Sequence, residues 1–375
     1  MAVQTAEALS DWLTKTLLPG WLARVYDPAR PGFIEMLKAD GTLSTSEIRT
    51  TLVTARLTYS FANAHLLGVS GALDAARHGL DFLWNTCRRP DGRFCHRCTV
   101  TGEVVDARSD FYDLAFVLFA LGWYGKASGE AEAFARAESV YRFIETALAH
   151  PEGGFREDTL GTLPRRQNPH MHLLEACHAL AEASGDARWL GRADALVKLM
   201  QAKMVDGAGS LAEFFGEDWS PAPGSRGLIR EPGHHYEWTW LLHHHARLTG
   251  SDAARESARQ LFGFAARHDR GGAVVNEIDP AGTVLNGKVL LWPQTEYLKA
   301  LAARVEFEGD AAAMGKLDAH LALMFELFVD RETGLWVNQL DEAGRPIADP
   351  VPVRVLYHLL LALVEVIRVK RLAVA

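Results

Sequence analysis

The 375-residue sequence has no uninterrupted run of about 18 apolar residues, the length that a membrane-spanning helix needs. It also lacks an excess of positive charge, and a net charge of -8 with a pI near 6.0 argues against nucleic-acid binding. No glycine-rich phosphate loop occurs, so nucleotide-dependent transfer is not expected. A G-x-S-x-G nucleophile elbow is also missing. Asp11 and Lys15 interrupt the first residues where a signal peptide would need an apolar core, which predicts a cytoplasmic protein without nucleic-acid or membrane partners.

Cysteine is scarce, with four residues at positions 87, 95, 98 and 177. The segment "CHRC", from Cys95 to Cys98, has the spacing of a metal-binding or redox pair. No second pair follows it, and the surrounding "DGRFCHRCTVTGEVVD" indicates a hairpin rather than a strand-to-helix turn. We therefore expect neither a zinc nor a redox role for this pair.

A linker rich in proline, glycine and serine is also missing, which predicts one domain over residues 1–375. Apolar residues instead recur at helical spacing through most of the chain. Short connections such as "SGD" and "TGSD" combine a helix-ending glycine with a helix-capping Ser or Asp. The pattern predicts twelve helices, over residues 6–26, 44–68, 71–87, 109–128, 131–149, 168–184, 187–203, 233–250, 253–268, 293–307, 310–329 and 351–371.

Four longer loops between helix pairs resemble one another and carry hairpin signals. They read "DGRFCHRCTVTGEVVD", "GGFREDTLGTLPRR", "GGAVVNEIDPAGTVLN" and "GLWVNQLDEAGRPIAD". Six helix pairs with one recurring class of loop predict an all-α fold, an (α/α)6 barrel with short β-hairpin loops at one end. An open solenoid would need polar capping repeats, whereas the last helix is among the most apolar.

Polar residues on helix faces that should line the barrel are the candidate functional residues. Within each helix they are spaced by three or four positions, which places them on one face. For each helix judged alone, the competing interpretation is that its polar residues form a solvent-exposed stripe or pack in the core. The candidates are Arg56, Tyr59, Asn63, Asn168, His172, Glu175, His234, Glu237, Trp292, Glu296, Arg354 and His358.

The stretch "EPGHHYEWTW", residues 231–240, concentrates this chemistry at a predicted helix start. His234 and Glu237 point together, so the carboxylate could orient the imidazole and raise its pKa. His235 points about 100° away from them. A Glu/His pair at this spacing also occurs in di-iron bundles, but those need the motif twice, and no second copy is present. The sequence therefore predicts neither a metal nor a cofactor.

Two histidines and an arginine fit proton abstraction beside a sugar carbonyl. Return of the proton to C1 gives aldose–ketose isomerisation, and return to the opposite face of C2 gives 2-epimerisation. A glycosidase would need two carboxylates flanking the bond, for which Glu237 and Glu296 are candidates. It would leave both histidines unexplained, as would a non-catalytic sugar-binding protein.

The motifs also resemble the N-acylglucosamine 2-epimerase superfamily, which includes cellobiose 2-epimerases and mannose isomerases. The resemblance covers nearly the whole chain and rests on "ARLTYSFA", "FYDLAFVLFALGWY", "NPHMHLLEA", "PGHHYEW", "WPQTE" and "YHLL". It implies an (α/α)6 barrel, with His234 and His358 as the catalytic acid/base pair and Arg56 as a ligand of a substrate oxygen. It further implies substrate-binding or histidine-orienting roles for Tyr112, Asn168, His172, Glu237, Trp292 and Glu296.

Two details bear on the substrate. The family often has an arginine upstream of the "PGH" histidine, which could be Arg226 or Arg230 in this chain, and His235-Tyr236 replaces residues that are usually small or apolar. The residues of the motifs are more similar to those of the mannose isomerases, which favours conversion of D-mannose to D-fructose over epimerisation. A phosphorylated or sulfonated sugar would fit if Arg226, Arg230 or Arg354 pointed inward, and the resemblance makes a homodimer plausible.

Overall fold

The computed structural model describes residues 5–268, 272–347 and 350–373. Within these ranges the chain forms twelve helical rods, the number that the apolar periodicity predicted. Three rods, α1, α3 and α5, each include a π-helical turn. The rods are α1 (Ala6–Trp12, π Leu13–Leu17, then α again at Leu18–Val25), α2 (Thr51–Leu66), α3 (Ala72–Phe82, π Leu83–Cys87), α4 (Phe111–Ser128), α5 (Ala131–Phe143, π Ile144–Leu148), α6 (Asn168–Ser184), α7 (Arg188–Lys203), α8 (Pro232–Thr249), α9 (Asp252–Arg267), α10 (Leu291–Glu308), α11 (Ala311–Leu327) and α12 (Leu356–Leu372).

The even-numbered helices form an inner ring and the odd-numbered helices surround it. Each inner helix contacts the next around the ring, and α12 closes the ring by contacting α2. The outer helices α3, α5, α7, α9 and α11 each pack on the inner helix that precedes them, while α1 packs on α12. The sixth pair therefore joins the two ends of the chain. This is the (α/α)6 barrel that the sequence predicted.

Two predicted helix starts are wrong in position because short strands precede the helices. The helix predicted from residue 44 begins at Thr51, since Ile48–Thr50 pairs with Arg97–Thr99 and the Thr50 hydroxyl caps the helix by accepting from the Val53 N–H. The helix predicted from residue 351 begins at Leu356, since Val351–Pro352 pairs with Met36–Leu37.

Five small antiparallel sheets form from eleven short strands in the described residues. Strands β2, β4, β5, β9 and β11 each lead into an inner helix, so the sheets gather at the end of the barrel where the inner helices begin. The strands are β1 (Met36–Leu37), β2 (Ile48–Thr50), β3 (Arg97–Thr99), β4 (Val104–Asp106), β5 (Arg165–Arg166), β6 (Phe214–Phe215), β7 (Glu277–Ile278), β8 (Val284–Asn286), β9 (Val289–Leu290), β10 (Gln339–Leu340) and β11 (Val351–Pro352).

The predicted hairpins form as paired strands in two of the four similar loops, β3–β4 and β7–β8, and as a single antiparallel bridge between Leu340 and Pro346 in the last loop. The loop "GGFREDTLGTLPRR" does not form one, because β5 pairs with β6 and the Asp158 side chain folds the segment by accepting from Leu160, Thr162 and the Thr162 hydroxyl. In the last loop β10 pairs with β9. Gly271, Ala348 and Asp349 of these loops lie outside the described residues. None of the described helices is long and apolar enough to cross a membrane.

Helix α1 is tied to the loop after α11 by two tryptophans. The Trp12 indole N–H donates to the Arg331 carbonyl at 2.7 Å, and that of Trp21 donates to the Gly334 carbonyl at 2.8 Å. Trp21 also stacks on Trp336 with ring centroids 4.1 Å apart, and its side chain is fully buried. These contacts fasten α1 to the loop that leads into α12, the helix that closes the ring.

We predict that Trp21→Ala lowers the free energy of unfolding by about 3–5 kcal/mol, because it removes a buried ring and leaves a cavity in the closing pair. Leu160→Ala is the control, since that side chain is 76% exposed and its loss should change stability by less than about 0.5 kcal/mol. Denaturant unfolding followed by circular dichroism measures both. Equal small effects would show that the chain ends do not fasten the barrel.

Candidate active site

The nine residues to which the family resemblance assigns site roles, from here on the predicted site residues, come together at the end of the barrel where the inner helices begin. Each occupies one of the first two turns of its helix, from Asn168 as the first residue of α6 to Arg56 in the second turn of α2. Six helices that start at one end therefore bring side chains that are far apart in sequence to one cavity.

This cavity has a volume of about 250 Å³. Eight of the nine predicted site residues line it, and the ninth, Glu296, lies behind His358. Residues that the sequence analysis did not select also line it, among them Glu231 and Asn338. The lining is Leu52, Arg56, Tyr112, Asn168, His172, Glu231, His234, Glu237, Leu290, Trp292, Asn338, Arg354, Val355 and His358.

The carboxylate that orients His234 is Glu213, not Glu237 as the helical spacing predicted. His234 Nδ1 lies 2.9 Å from Glu213 Oε2 and 3.3 Å from Glu231 Oε2. Glu213 Oε2 also accepts from the side-chain amide of Gln167 at 3.0 Å, which fixes the carboxylate. The sequence analysis missed Glu213 because it lies in the segment between α7 and α8, where helical periodicity does not apply. Its one signal is a lone carboxylate in the apolar stretch "SLAEFF".

These carboxylates decide the charge of His234. Burial by itself lowers the pKa of an imidazole, but the negative charges of Glu213 and Glu231 outweigh it and raise the pKa of His234 to about 10. Burial raises the pKa of Glu231 to about 8, whereas the charged His234 lowers the pKa of Glu213. The pair therefore consists of an imidazolium on a Glu213 carboxylate near neutral pH.

The second ring nitrogen of His234 faces the cavity beside Asn168. His234 Nε2 lies 3.0 Å from the Asn168 amide nitrogen, and the amide oxygen is buried without a partner among the described residues. An amide can present either its NH2 or, after a flip, its oxygen. Asn168 can thus pair with His234 whether or not Nε2 carries a proton.

His358 is held by a different set of groups. Its Nδ1 lies 2.8 Å from Glu296 Oε1, and the other oxygen of Glu296 lies 2.5 Å from Lys299 Nζ. Lys299 is fully buried, lies 3.7 Å from Glu237 Oε1, and packs over the Trp240 ring. The sequence analysis missed Lys299, although it falls three residues after Glu296 on the same inward face.

The two histidines therefore differ in charge. Burial lowers the pKa of His358 well below its usual value, and the positive charges of Arg56 and Lys299 lower it further. Carboxylates raise the pKa of Lys299 despite its burial, so the ammonium stays charged beside Glu296. At neutral pH His234 is therefore charged, whereas His358 is neutral.

Trp292 lies against both histidines, with ring centroids 4.8 Å from His234 and 5.9 Å from His358. Its packing depends on Gly233 at the start of α8. A Cβ atom at that position would lie 2.7 Å from the indole ring, so a larger residue would displace the tryptophan. The tryptophan provides an apolar wall of the kind on which a sugar ring can pack.

Arg56 contributes a positive charge to the cavity wall. It donates to the Tyr112 hydroxyl at 2.6 Å and packs over the Phe116 ring at 4.2 Å. Arg354 is exposed at the cavity lining, and its carbonyl lies 3.4 Å from the Arg56 guanidinium. Among the described residues, Arg56 and Arg354 are thus the two arginines of the lining.

Neither of the two arginines upstream of the "PGH" histidine, Arg226 or Arg230, lines the cavity. Arg226 is exposed in the 3-10 turn Gly224–Leu228 and does not line the cavity. Arg230 is buried, but its guanidinium donates to Ser210 Oγ and to the carbonyls of Gly227 and Ile229. Arg354 supplies the second cation instead.

Glu237 and His172 complete the floor of the cavity. Both oxygens of Glu237 are buried without a hydrogen-bond partner among the described residues, so they can accept from substrate hydroxyls. His172 Nδ1 lies 3.1 Å from Glu175 Oε2, which also accepts from the Tyr357 hydroxyl at 2.5 Å. Burial lowers the pKa of His172 to about 3, so this ring is neutral.

His235, the neighbour of His234, faces away from the cavity. Its ring is fully buried between the Glu231 carbonyl, 2.9 Å from Nδ1, and the Leu211 N–H, which donates to Nε2 at 3.0 Å. Both nitrogens are therefore used in holding the segment before α8 to the helix. This agrees with the different directions that helical geometry predicted for the two histidines.

Three groups in the cavity also have the donor types and proximity of metal ligands. They are His172 with Glu175 and Glu237, His234 with Glu213 and Glu231, and His358 with Glu237 and Glu296. In each group the histidine already pairs with a carboxylate of the group, and Lys299 neutralises Glu296. A metal-free site stays a prediction of the sequence.

The comparisons with known proteins identify the family. The profile of the N-acylglucosamine 2-epimerase (GlcNAc 2-epimerase) family matches residues 32–362. A mannose-6-phosphate isomerase from Rhizobium meliloti is 35% identical, over 96% of each chain. The chain belongs to the N-acylglucosamine 2-epimerase family.

Solved structures of the family share the fold. A D-mannose isomerase aligns with a TM-score of 0.90 at 22% identity, over 98% of this chain and 99% of that one. A cellobiose 2-epimerase from Spirochaeta thermophila aligns with a TM-score of 0.88 at 23% identity, over 99% and 97%. The family membership confirms the predicted enzyme class: the protein is an isomerase or epimerase that acts on a small-molecule sugar.

We predict that Glu213→Gln lowers the pKa of His234 by about 1–3 units, because it removes the nearest negative charge. Any step that needs a charged His234 loses rate as the pH rises through this pKa. The falling limb of kcat/KM at high pH should therefore move to lower pH in the variant.

The same substitution at Glu217 is the control, because that carboxylate is 62% exposed and pairs with His150 outside the cavity. Its profile should match that of the unaltered protein. A high-pH limb that stays in place in Glu213→Gln would show that Glu213 does not set the charge of His234.

Proposed function

We propose that the protein is an aldose–ketose isomerase that converts D-mannose to D-fructose through a cis-enediol intermediate. His358 and His234 act as the acid/base pair, and no redox cofactor takes part. This proposal rests on the different protonation states of the two histidines in one cavity, His234 charged and His358 neutral. The reaction needs both a proton donor and a proton acceptor at neutral pH.

The first step uses the neutral histidine as the base. In the His358 tautomer that the reaction uses, the Nδ1–H donates a hydrogen bond to Glu296, which leaves the Nε2 lone pair for the C2 proton of the open-chain aldose. As the C–H bond breaks, its electrons form the C1–C2 double bond, and the carbonyl oxygen takes a proton from His234 Nε2. The Arg56 guanidinium stabilises the charge that develops on the oxygen.

The second step returns both protons. His234 removes the proton of the C2 hydroxyl, and the enediol collapses to the C2 ketone as His358 delivers its proton to C1. Both histidines end in their starting states, so the cycle needs no further acid or base. Glu296, Glu213 and Lys299 hold the histidines and set their charges without contacting the reacting atoms.

The remaining lining residues fit a single sugar ring. A volume of about 250 Å³ is at the small end for a binding pocket. Trp292 offers a packing surface, while Glu237, Asn168, Tyr112 and His172 offer hydrogen-bond partners for hydroxyl groups. A glycosidase is disfavoured because Glu296 is already paired with His358 and Lys299.

D-mannose 6-phosphate is a second candidate substrate. Arg354 is exposed in the cavity lining next to Arg56, and arginine pairs well with phosphate. The relative from Rhizobium meliloti, which carries the name of a mannose-6-phosphate isomerase, supports the same candidate. A homodimer and a cytoplasmic location remain predictions from the sequence.

Incubation with D-mannose, D-mannose 6-phosphate, cellobiose and N-acetylmannosamine, followed by chromatography of the products, tests the proposal. We expect fructose from mannose. Fructose 6-phosphate formed at a much higher kcat/KM would assign the phosphorylated substrate, and Arg354→Met should then raise KM for that substrate alone. Glucose from mannose would make the protein a 2-epimerase, and no turnover of any sugar would contradict the proposal.

The two-histidine mechanism predicts that His234→Asn and His358→Asn each lower kcat/KM by about 10²–10⁴-fold. His320→Asn is the matched control, since that histidine is equally buried but lies on the outer helix α11. His235→Ala should be much milder than either site variant. Near-normal activity of a folded His234→Asn or His358→Asn protein would eliminate this mechanism.

A further inference from the structure

Three of the four cysteines meet outside the active site. Cys87 is the last residue of the π-helical turn that ends α3, and Cys95 and Cys98 belong to the loop and strand that follow. The three sulfur atoms all lie within 4.8 Å of one another, and all three residues are buried. The sequence showed only the Cys95–Cys98 pair, because Cys87 joins it through folding.

The backbone holds this cluster in place. The Cys95 N–H donates to the Cys87 carbonyl at 3.0 Å, and the Arg89 N–H donates to the Arg93 carbonyl at 2.7 Å. Cys98 is in register with Arg49 in the pairing of β3 with β2. The sulfur atoms therefore converge because the main chain is fixed on both sides of the turn.

Among the described residues, one cation is in hydrogen-bond contact with the cluster. The Arg89 guanidinium lies 3.6 Å from Cys95 Sγ, and its Nε is buried without a partner among the described residues. Three thiolates, one divalent cation and one guanidinium together carry no net charge, which is the condition for burying such a group at low cost. No other histidine, cysteine, aspartate or glutamate of the described residues joins the group.

We propose that Cys87, Cys95 and Cys98 form a structural thiolate site for a thiophilic d10 cation, Zn²⁺ or Cu⁺. Thiolate sulfur is the ligand that both ions prefer. At a zinc–sulfur distance of about 2.3 Å, tetrahedral ligands lie about 3.8 Å apart, so the sulfur triangle needs to contract by less than about 1 Å. Charge balance favours Zn²⁺, whereas the number of protein ligands fits a three-coordinate Cu⁺.

The position of the site indicates what the ion would do. The Cys95 carbonyl accepts from the Thr51 hydroxyl at 2.6 Å, and the His96 carbonyl accepts from the Thr51 N–H at 3.3 Å. Thr51 begins α2, the inner helix that carries Arg56. A bound ion would fasten the end of α3 to the loop that holds the start of α2, so its effect is on stability rather than on the chemical step.

Metal binding to the full chain tests this proposal. The protein is reduced under anaerobic conditions, stripped of metal, and titrated separately with Zn²⁺ and with Cu⁺, and the bound metal is counted by elemental analysis. Co²⁺ serves as a spectroscopic probe, because thiolate ligands give it an intense charge-transfer band. We expect one equivalent of ion per chain and a higher melting temperature with the ion bound, and the ion that binds more tightly identifies the occupant.

Cys87→Ala, Cys95→Ala and Cys98→Ala should each lose the stoichiometric binding, the cobalt band and the gain in melting temperature. Cys177→Ala is the matched control, since Cys177 is equally buried but lies on α6 away from the cluster, and it should retain all three. Serine replaces alanine wherever an alanine variant does not fold, and folded variants should keep the kcat of the unaltered protein.

Three results would overturn the proposal. The first is that the reduced protein binds neither ion, and the second is that binding is the same in the cluster variants as in Cys177→Ala. The third is a mass spectrum in which the protein under these reducing conditions is lighter by two hydrogens. That result would assign the three thiols to disulfide chemistry instead.

Discussion

The site depends on holding two buried imidazoles in one cavity, one of them charged and the other neutral. Burial alone would make both neutral, since a charged ring loses its hydration in the interior. Glu213 and Glu231 overcome this cost at His234, whereas His358 sits near Arg56 and Lys299, which add to it. Burial and the charge of Glu237 raise the pKa of Glu296 well above its usual value although Lys299 opposes this, so Glu296 adds little negative charge beside His358. The proton donor and the proton acceptor are thus distinguished by the charges around them, although both are histidines.

The barrel provides the geometry for this arrangement. Each inner helix contributes side chains from its first two turns, so six short stretches of sequence meet at one cavity. Closure of the ring by α12 on α2 brings His358 to the same cavity as Arg56. The charged cluster at the centre, with Lys299 among Glu175, Glu237 and Glu296, costs stability that the surrounding apolar helices must offset.

The sequence predicts those parts of the structure that follow from periodicity. Twelve helices, their pairing and the candidate residues on five of the helices could be read from residue spacing, whereas Tyr112 was placed by the family resemblance alone. Eight of the nine predicted site residues line the cavity. Glu213 escaped prediction because the loop between α7 and α8 has no repeating geometry, and its approach to His234 is fixed only by the fold. The helix starts at Thr51 and Leu356 were misplaced because strand pairing with distant residues competes with helical propensity. Cys87 joined Cys95 and Cys98 for a similar reason, since the turn that aligns them is set by main-chain pairing.

The most direct test of the central claim is to observe the protonation states of His234 and His358. Protein labelled with ¹⁵N-histidine gives ring-nitrogen resonances that distinguish an imidazolium from each neutral tautomer, and the His234→Asn and His358→Asn variants assign the signals. At pH 7 the account predicts a doubly protonated His234 and a neutral His358 with its proton on Nδ1, and His234 should lose its proton only near pH 10. Two histidines in the same protonation state at pH 7 would contradict the account.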